Sequence, residues 1–550
     1  MEGLPARVAR LWRTVRWLRA EQIAGRVALH LRRAAVDDRP APPRRAVRCP
    51  WVAGPARAAS LIGPTRWRLL GEEHELDRIG WDDPSIALLW RYNQHYFDDL
   101  QADGWAGRQA WHRALIERWC DGCAPGRGTA WAPYPTSLRI VNWLKWHWAG
   151  EPLTDRWWHS LAMQVRWLER HLEWHLLGNH LFANAKALVF AGLAFDGPEA
   201  ARWLATGVRI LKRELPEQIL GDGGQFERSP MYHALALVDV LDLLNAMQMA
   251  DIAGTPAARL ATELRQRAQA MMFWLRCMRL PDGCLARMND TAENIAPPTD
   301  SIEAYAAALG LQAPAPPTHG IVTLEPSGYR RVTRGRMLAI LDVAPVGPDY
   351  LPGHAHADTL SFELTIDGKA VVVNRGTSVY GTGARRQLER GTAAHSTLQI
   401  GDHDSSEVWA GFRVGRRARV LSVTEHGAGE DWYVEAAHDG YAHLRGRPIH
   451  RRRWTFGADR LVVEDHVVPR TREWARSRFH LAPGLQLAGT GENWSVLDAT
   501  GRPLARARVQ AGHTRQEHWE HAVGFGHLVP ACTLAVDADG DGRVCVQWTW

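Results

Sequence analysis

Three clusters of residues able to move protons or hold a carboxylate stand at the heads of apolar helical runs. Tyr134-Pro135-Thr136-Ser137 precedes Leu138-Arg139-Ile140-Val141, Asn179-His180 precedes Leu181-Phe182-Ala183, and Tyr232-His233 precedes Ala234-Leu235-Ala236-Leu237. Phenol, imidazole and carboxamide gathered at one mouth are what acid–base chemistry on a large polar substrate needs. A fourth cluster, His354-Ala355-His356-Ala357-Asp358, lies in a later stretch of different periodicity. On an extended segment His354, His356 and Asp358 share one face, because side chains repeat every two residues. A His-x-His pair of this kind either chelates zinc or is simply hydrogen-bonded. His395 is a candidate third ligand, and Asp358 a candidate ligand or orienter of an imidazole.

The elements between these clusters decide whether they meet. From Tyr134 to His180 is 46 residues and from His180 to Tyr232 is 52, room for two helices and two loops per step. If helices alternate up and down, all three clusters collect at one end of a helical array. The apolar period is helical from about residue 82 to 312, with helices expected at 84–101, 107–121, 136–149, 154–176, 181–195, 198–214, 232–252 and 256–279. Helical hairpins at this spacing predict an arc or toroid. Gln312-Ala313-Pro314-Ala315-Pro316-Pro317 breaks the pattern, after which the period becomes two. Strands are expected at 337–343, 359–366, 369–374, 396–400, 416–423, 431–437, 451–457, 460–467, 477–482 and 544–548, a β-sandwich pattern. The predicted organisation is a basic helix and Pro-rich connector over 1–60, a toroid over 61–311, a linker over 312–327 and an antiparallel sandwich over 328–550.

Composition narrows the function. The formal charge is +6 with a pI near 9.0, yet only four of the 66 basic residues are lysines. The mildly basic balance suits an anionic partner. No basic arm or nucleic-acid motif is present, so nucleic acid is not an expected partner. Seven scattered cysteines argue against a disulfide framework, and Cys120-Asp-Gly-Cys123 is read as structural. The 27 tryptophans are read mainly as helix packing, with a few available to stack on sugar rings. Residues 4–33 read as one basic amphipathic helix with Leu4, Val8, Leu11, Val15 and Leu18 as its stripe. It either docks on the body or makes a peripheral contact with an anionic membrane. Arg7, Arg10, Arg13, Arg16 and Arg19 interrupt any export-signal core, and no apolar run is long enough to span a bilayer. The expected location is cytoplasmic or peripheral to the inner membrane, and a periplasmic one stays open.

Several motifs in order carry a family resemblance. They are Tyr92-Asn93-Gln94-His95-Tyr96-Phe97, Pro133 to Ile140, Gly178-Asn179-His180-Leu181-Phe182-Ala183-Asn184, Asp222 to His233, Gly353 to Asp358, and Ala394-His395-Ser396-Thr397. With them the chain resembles the heparinase II/III polysaccharide-lyase family over roughly residues 80–420. The resemblance implies an N-terminal (α/α) toroid followed by an antiparallel β-sandwich, and β-elimination on a uronate-containing glycan. Asn179 and His180 match positions that hold the uronate carboxylate, Tyr232 the catalytic tyrosine, and His354 a second catalytic candidate. Tyr134, Arg139, Glu227 and His233 are substrate-binding candidates. For Tyr232 to serve as a base its pKa must fall, which takes about 3–4 kcal/mol from nearby imidazolium or Arg charge.

The metal expectation follows the same resemblance. The family site commonly has Asp where this chain has Asn374, a poor zinc ligand beside carboxylate. Either His356 and His395 keep a structural zinc with help from Asp358, bracing the loop of His354, or the site is metal-free. The functional expectation is a polysaccharide lyase acting in bacterial capsule or exopolysaccharide metabolism. A uronyl C5-epimerase or hydrolase on the same scaffold is the enzyme alternative, and a non-catalytic glycan-binding or assembly protein is the alternative from another class.

Overall fold

The computed structural model describes residues 4–31 and 35–550. Seven helices of the first half, Gln109–Gly122, Pro133–Trp148, Asp155–Arg170, Gly178–Ala194, Gly197–Gln218, Pro230–Met249 and Pro256–Met278, sort into two layers by their sequences. The Gly178 helix is buried from Leu181 to Ala194, and the Pro230 helix is apolar on nearly every side. The Asp155 and Gly197 helices carry polar faces to solvent and apolar stripes to the interior. A helix apolar all round must be covered all round, so the first kind forms the inner layer and the second the outer. The Gly178 helix packs between the Pro133 and Pro230 helices, with the Asp155 and Gly197 helices outside. This is the (α/α) toroid. Fully buried Trp143, Trp146, Trp157 and Trp203 fill it, and Trp274 packs at its border with the sandwich against Leu324, Tyr329 and Ile340, so for these the packing reading holds.

The second half is an antiparallel β-sandwich. One sheet runs, in spatial order, Val420–His426, Trp432–His438, Ile449–Phe456, Arg460–Val468, Arg543–Thr549, Pro503–Ala511, Asn493–Leu497 and Gln486–Thr490. The other contains His513–Gly524, His527–Asp537, Ala475–Leu481, Lys369–Val373, Phe362–Ile366, Met337–Asp342, Tyr329–Arg334 and Gly320–Leu324, with Leu398–Ile400 pairing beside Ala475–Leu481. Inward residues of both sheets meet in one core that includes Leu341, Phe362, Val434, Trp454, Phe479 and Trp548. The strand Gly320–Leu324 falls within the stretch read from sequence as linker.

The structure corrects the expected single helix over 4–33. Two helices, Leu4–Val15 and Ala20–Leu31, are separated by a bend at 16–19. The bend residues are held from two sides: Trp17 lies under Arg417 of the sandwich, and Arg19 pairs with Glu217 of the toroid and covers the Tyr350 ring. Residues 32 and 33 lie outside the described residues. Among the described residues no helix is long and apolar enough to cross a membrane. Every cysteine there is a free thiol, and burial pushes Cys120 up to about 11 and Cys123 up to about 12.

Candidate active site

The site is assembled from helix beginnings. The three inner helices start at Pro133, Gly178 and Pro230, two or three residues ahead of the predicted starts, so Tyr134, Asn179, His180 and Tyr232 are first-turn residues. Proline suits a first turn because its missing N–H would have had no intrahelical partner. Ser229 caps the third helix, its hydroxyl accepting from the Tyr232 N–H at 3.2 Å. Asn179 does not cap its helix; the cap position is Leu177, which makes no side-chain cap bond. Tyr134, Asn179, His180, Glu227, Tyr232 and His354 all line one cleft of about 1760 Å³ between helices and sheets. Leu177, Arg228 and Asn289, each within two positions of Asn179, Glu227 or Asp290, have φ of 65°, 62° and 54°. Positive φ at non-glycine residues costs free energy and gathers at sites whose surroundings over-determine the backbone.

The centre is Tyr232 against His354. Their rings stack with centroids 3.8 Å apart. The Tyr232 hydroxyl meets the Tyr380 hydroxyl at 3.1 Å. His354 Nδ1 lies 2.9 Å from Asp290 Oδ2, while Nε2 lies 3.8 Å from Glu227 Oε2. Asp290 is fully buried and also receives His356 Nε2 at 2.7 Å, Thr377 Oγ1 at 3.3 Å and both terminal nitrogens of Arg386. Burial alone would raise the Asp290 pKa; Arg386, then His354 and His356, hold it well below the usual carboxylate range. An ionised carboxylate only accepts, so His354 carries a proton on Nδ1, and in the neutral imidazole this puts the lone pair on Nε2, on the Glu227 side.

The expected depression of the tyrosine pKa is overturned. Burial first, then Tyr380 and the Asp290 carboxylate, raise the Tyr232 pKa well above that of a free phenol. The carboxylate behind His354 supplies the wrong sign of charge for a phenolate. In these surroundings the Tyr232 phenol keeps its proton.

The other wall is built around Glu173. It accepts from His180 Nδ1 at 3.0 Å and from Asn184 Nδ2 at 2.9 Å. Burial would lower the His180 pKa, but Glu173 more than offsets this and the pKa is raised. The Tyr134 ring lies 4.4 Å from that of His180. The Asn179 carboxamide has no hydrogen bond among the described residues and lines the cleft. Glu227 is buried, one oxygen bonded to Gln225 Nε2 at 3.1 Å and the other, which faces His354 Nε2, without a hydrogen-bond partner among the described residues. Burial raises its pKa, with His354 only partly opposing.

Comparison with known proteins now bears on this arrangement. Residues 99–306 match the model of the heparinase II/III N-terminus and residues 316–549 that of the heparinase II/III-like C-terminal region. The chain belongs to the heparinase II/III family. A heparin-sulfate lyase of Pedobacter heparinus is 27% identical over 44% of this chain and 38% of its own length. FtsZ-localized protein C of Caulobacter vibrioides is 28% identical over 57% of this chain and 55% of its own length. The chain thus spans between about a third and a little over half of these curated relatives. Among solved structures, heparinase III superposes with a TM-score of 0.65 at 17% identity, covering 88% of this chain and 79% of that one. Heparan sulfate lyase HepC of Pedobacter heparinus gives 0.56 at 17%, covering 88% and 81%. At such identity these two likenesses establish the fold.

Several residues expected at this family's site lie elsewhere. Arg139 is fully buried, bonding Gln164 Oε1, the His95 carbonyl and Thr136 Oγ1 beneath the Trp119 ring; burial pushes it down to about 9. It reaches no substrate. His233 accepts the Gln225 N–H at 3.2 Å, and its Nε2 lies 2.9 Å from the Met271 carbonyl. Burial lowers it to about 4, so it is a neutral brace for the turn that carries Glu227.

The four metal candidates do not form one donor set. His356 and His395 face each other, Nδ1 to Nε2, at 3.1 Å, with their other nitrogens held by Asp290 and the Gly391 carbonyl. Asp358 instead accepts the Asn289 N–H at 2.9 Å. Asn374 donates to Ser361 Oγ and accepts the Ser396 N–H. Among the described residues no group of three or more His, Cys, Asp or Glu is placed to hold a metal. Two imidazoles without an anionic third ligand do not fit a structural zinc. The His354 loop is braced by the Asp290–Arg386 pair instead.

Asp290, Arg386, Tyr380 and Glu173 are the site residues that sequence reasoning missed. The only signal for Asp290 was the polar run Asn289-Asp290-Thr291 in a loop after the last long toroid helix. Its role depends on contacts with residues more than sixty positions away.

Proposed function

We propose that the chain is a polysaccharide lyase that cleaves a uronate-bearing anionic glycan by β-elimination. The observation that carries this reading is the Tyr232 phenol stacked on a His354 whose Nδ1 is claimed by a buried carboxylate, at a cleft shared with Asn179 and His180. The uronate carboxylate sits at the start of the Gly178 helix, where free N–H groups and the helix dipole favour an anion. The Asn179 carboxamide and a charged His180 bind it and stabilise the charge that develops as C5 loses its proton. His354 Nε2 takes that proton. The C5–H electrons form the C4–C5 double bond, the C4–O4 bond breaks, and O4 takes the Tyr232 proton. The histidine proton then returns to the phenolate through solvent. Glu227, with its raised pKa and free oxygen, lowers the charge on the substrate carboxylate by sharing a proton with it.

The test is an ultraviolet assay for the unsaturated uronate with heparan sulfate, chondroitin sulfate and bacterial uronate exopolysaccharides. Tyr232→Phe should abolish the chromophore while glycan binding remains. A polymer shortened without chromophore would make the enzyme a hydrolase; solvent deuterium entering C5 without cleavage would make it an epimerase. A second reading, a glycan-binding assembly protein, draws on the relative named for its localisation with FtsZ. It predicts that Tyr232→Phe changes no biological activity.

A further inference from the structure

We propose that the helical pair Leu4–Val15 and Ala20–Leu31 is a docking surface for an anionic lipid membrane. The pair lies outside both family-matched regions. Of eighteen exposed large hydrophobic side chains among the described residues, nine fall between Leu4 and Leu31. Eight of the nine are ordered: Leu4, Val8, Leu11, Trp12 and Val15 form one stripe of the first helix, and Ile23, Val27 and Leu31 one stripe of the second, with Leu29 off it. Leu4 is 73% exposed, Trp12 65% and Leu31 76%.

Both helices are packed inside out. A helix made for water buries its apolar stripe and shows its polar face. Here polar residues hold the first helix to the sandwich: Arg13 bonds Glu407 at 2.8 and 2.6 Å, Thr14 Oγ1 accepts from Trp409 Nε1 at 3.1 Å, and Arg10 covers the Trp409 ring. The second helix is held to the toroid by Glu21 with Arg213 and by buried Gln22, whose Nε2 donates to the Leu176 carbonyl. Gly25 lies so close that an added Cβ would fall 2.7 Å from the His175 nitrogen. These contacts leave the apolar stripes outward and uncovered.

Charge chooses the occupant. The first helix contains no acidic residue, and exposed Arg7 and Arg16 flank its stripe. Two copies paired through this face would bring like charges together, whereas anionic headgroups neutralise them. A Trp among aliphatic residues beside Arg is the composition of helices that lie in a lipid interface. Leu11 and Val15 also line the cleft rim, so docking sets that rim at the lipid surface.

The experiment is co-sedimentation of the full chain with phosphatidylcholine vesicles, with and without phosphatidylglycerol. Binding is expected with phosphatidylglycerol, falling as salt rises. Val8→Glu/Trp12→Glu alters only exposed side chains and should reduce binding to the phosphatidylcholine level with an unchanged melting midpoint. Arg7→Gln should weaken it roughly fivefold, and this variant carries the test if the first unfolds. No sedimentation with phosphatidylglycerol vesicles at low salt overturns the proposal, as does undiminished binding by both variants. A dimer in sedimentation velocity that Val8→Glu/Trp12→Glu abolishes, without vesicle binding, assigns the stripes to a second copy and overturns it equally.

Discussion

On the proposed mechanism, Tyr232 and His354 divide the proton work according to what lies behind each of them. Asp290 fixes a proton on the far nitrogen of His354, and burial with Tyr380 keeps the phenol protonated. The pH dependence follows in sign. A phenolate base would make kcat climb as pH rises toward the ordinary tyrosine value of about 10. A phenol acid with a raised pKa stays competent through that range, so kcat should show no rising alkaline limb. A kcat–pH profile measured on a uronate polymer checks this, and a rise of one decade per pH unit there would restore Tyr232 as the base. The sequence made Tyr232, His354, Asn179 and His180 legible because each sits in a local motif. Tyr380 and Asp290 were illegible because they act through contacts distant in sequence, and Glu173 because it stands outside the motif, seven and eleven positions from the His180 and Asn184 that it holds. Arg139 and His233 misled for the converse reason: they stand in the same motifs as Tyr134 and Tyr232, but helical side chains five positions and one position along point elsewhere.

Two elements set the carboxylate wall. Gly178 opens the second inner helix at φ +55°, and a Cβ there would fall 2.3 Å from Leu351 Cδ2 of the sandwich loop. Gly178→Ala therefore strains the backbone by about 1–2 kcal/mol and displaces the turn that aims Asn179. Substrate KM should rise while thermal stability falls only modestly; unchanged kinetics would show that the helix start does not bind the carboxylate. Deeper in the same layer, Asp242 joins the Pro133, Gly178 and Pro230 helices through Lys145 at 3.1 Å and Lys186 at 2.7 Å. Burial would raise its pKa, but the two lysines more than offset this and lower it to about 2. Its unfolded value is near 3.8, so its contribution is complete above that pH and lost as pH falls through about 2. That contribution is about 2 kcal/mol. Urea unfolding between pH 4 and 2 should show a steeper loss for the parent than for Asp242→Asn. These inner helices were legible from their long apolar runs. The strand His513–Gly524 was not, since Arg, Gln, Glu and His fill most of its positions; Pro503–Ala511 does alternate Ala and Val with Arg and Gln, and His527–Asp537 is mostly apolar, so these two carried a strand signal that the sequence reading passed over. Their place is set by pairing with neighbours, a non-local property.

At the scale of the molecule, catalysis on this reading needs the toroid's Tyr232 and the sandwich's His354 in one register, and the loop bearing Asn289 and Asp290 holds it. The Asp290 N–H donates to the His354 carbonyl at 3.0 Å, the Asn289 N–H to Asp358, and the Asp290 carboxylate is locked by Arg386. Two roles for Asp290 are superimposed here, bracing the halves and fixing the His354 proton, and a double-mutant cycle separates them. Arg386→Met leaves a buried carboxylate facing two imidazoles without its main counter-charge, and Asp290→Asn leaves a buried guanidinium. Each should cost about 3–5 kcal/mol by thermal or urea unfolding. The double variant removes both charges, so its loss should be well below the sum of the singles. Activity should not follow stability. Because Asn no longer demands a proton on Nδ1, turnover in the double variant should stay down by about 100-fold or more, with KM little changed. Turnover that recovers together with stability would reduce Asp290 to a brace, and the assignment of His354 Nε2 as the base would lose its support.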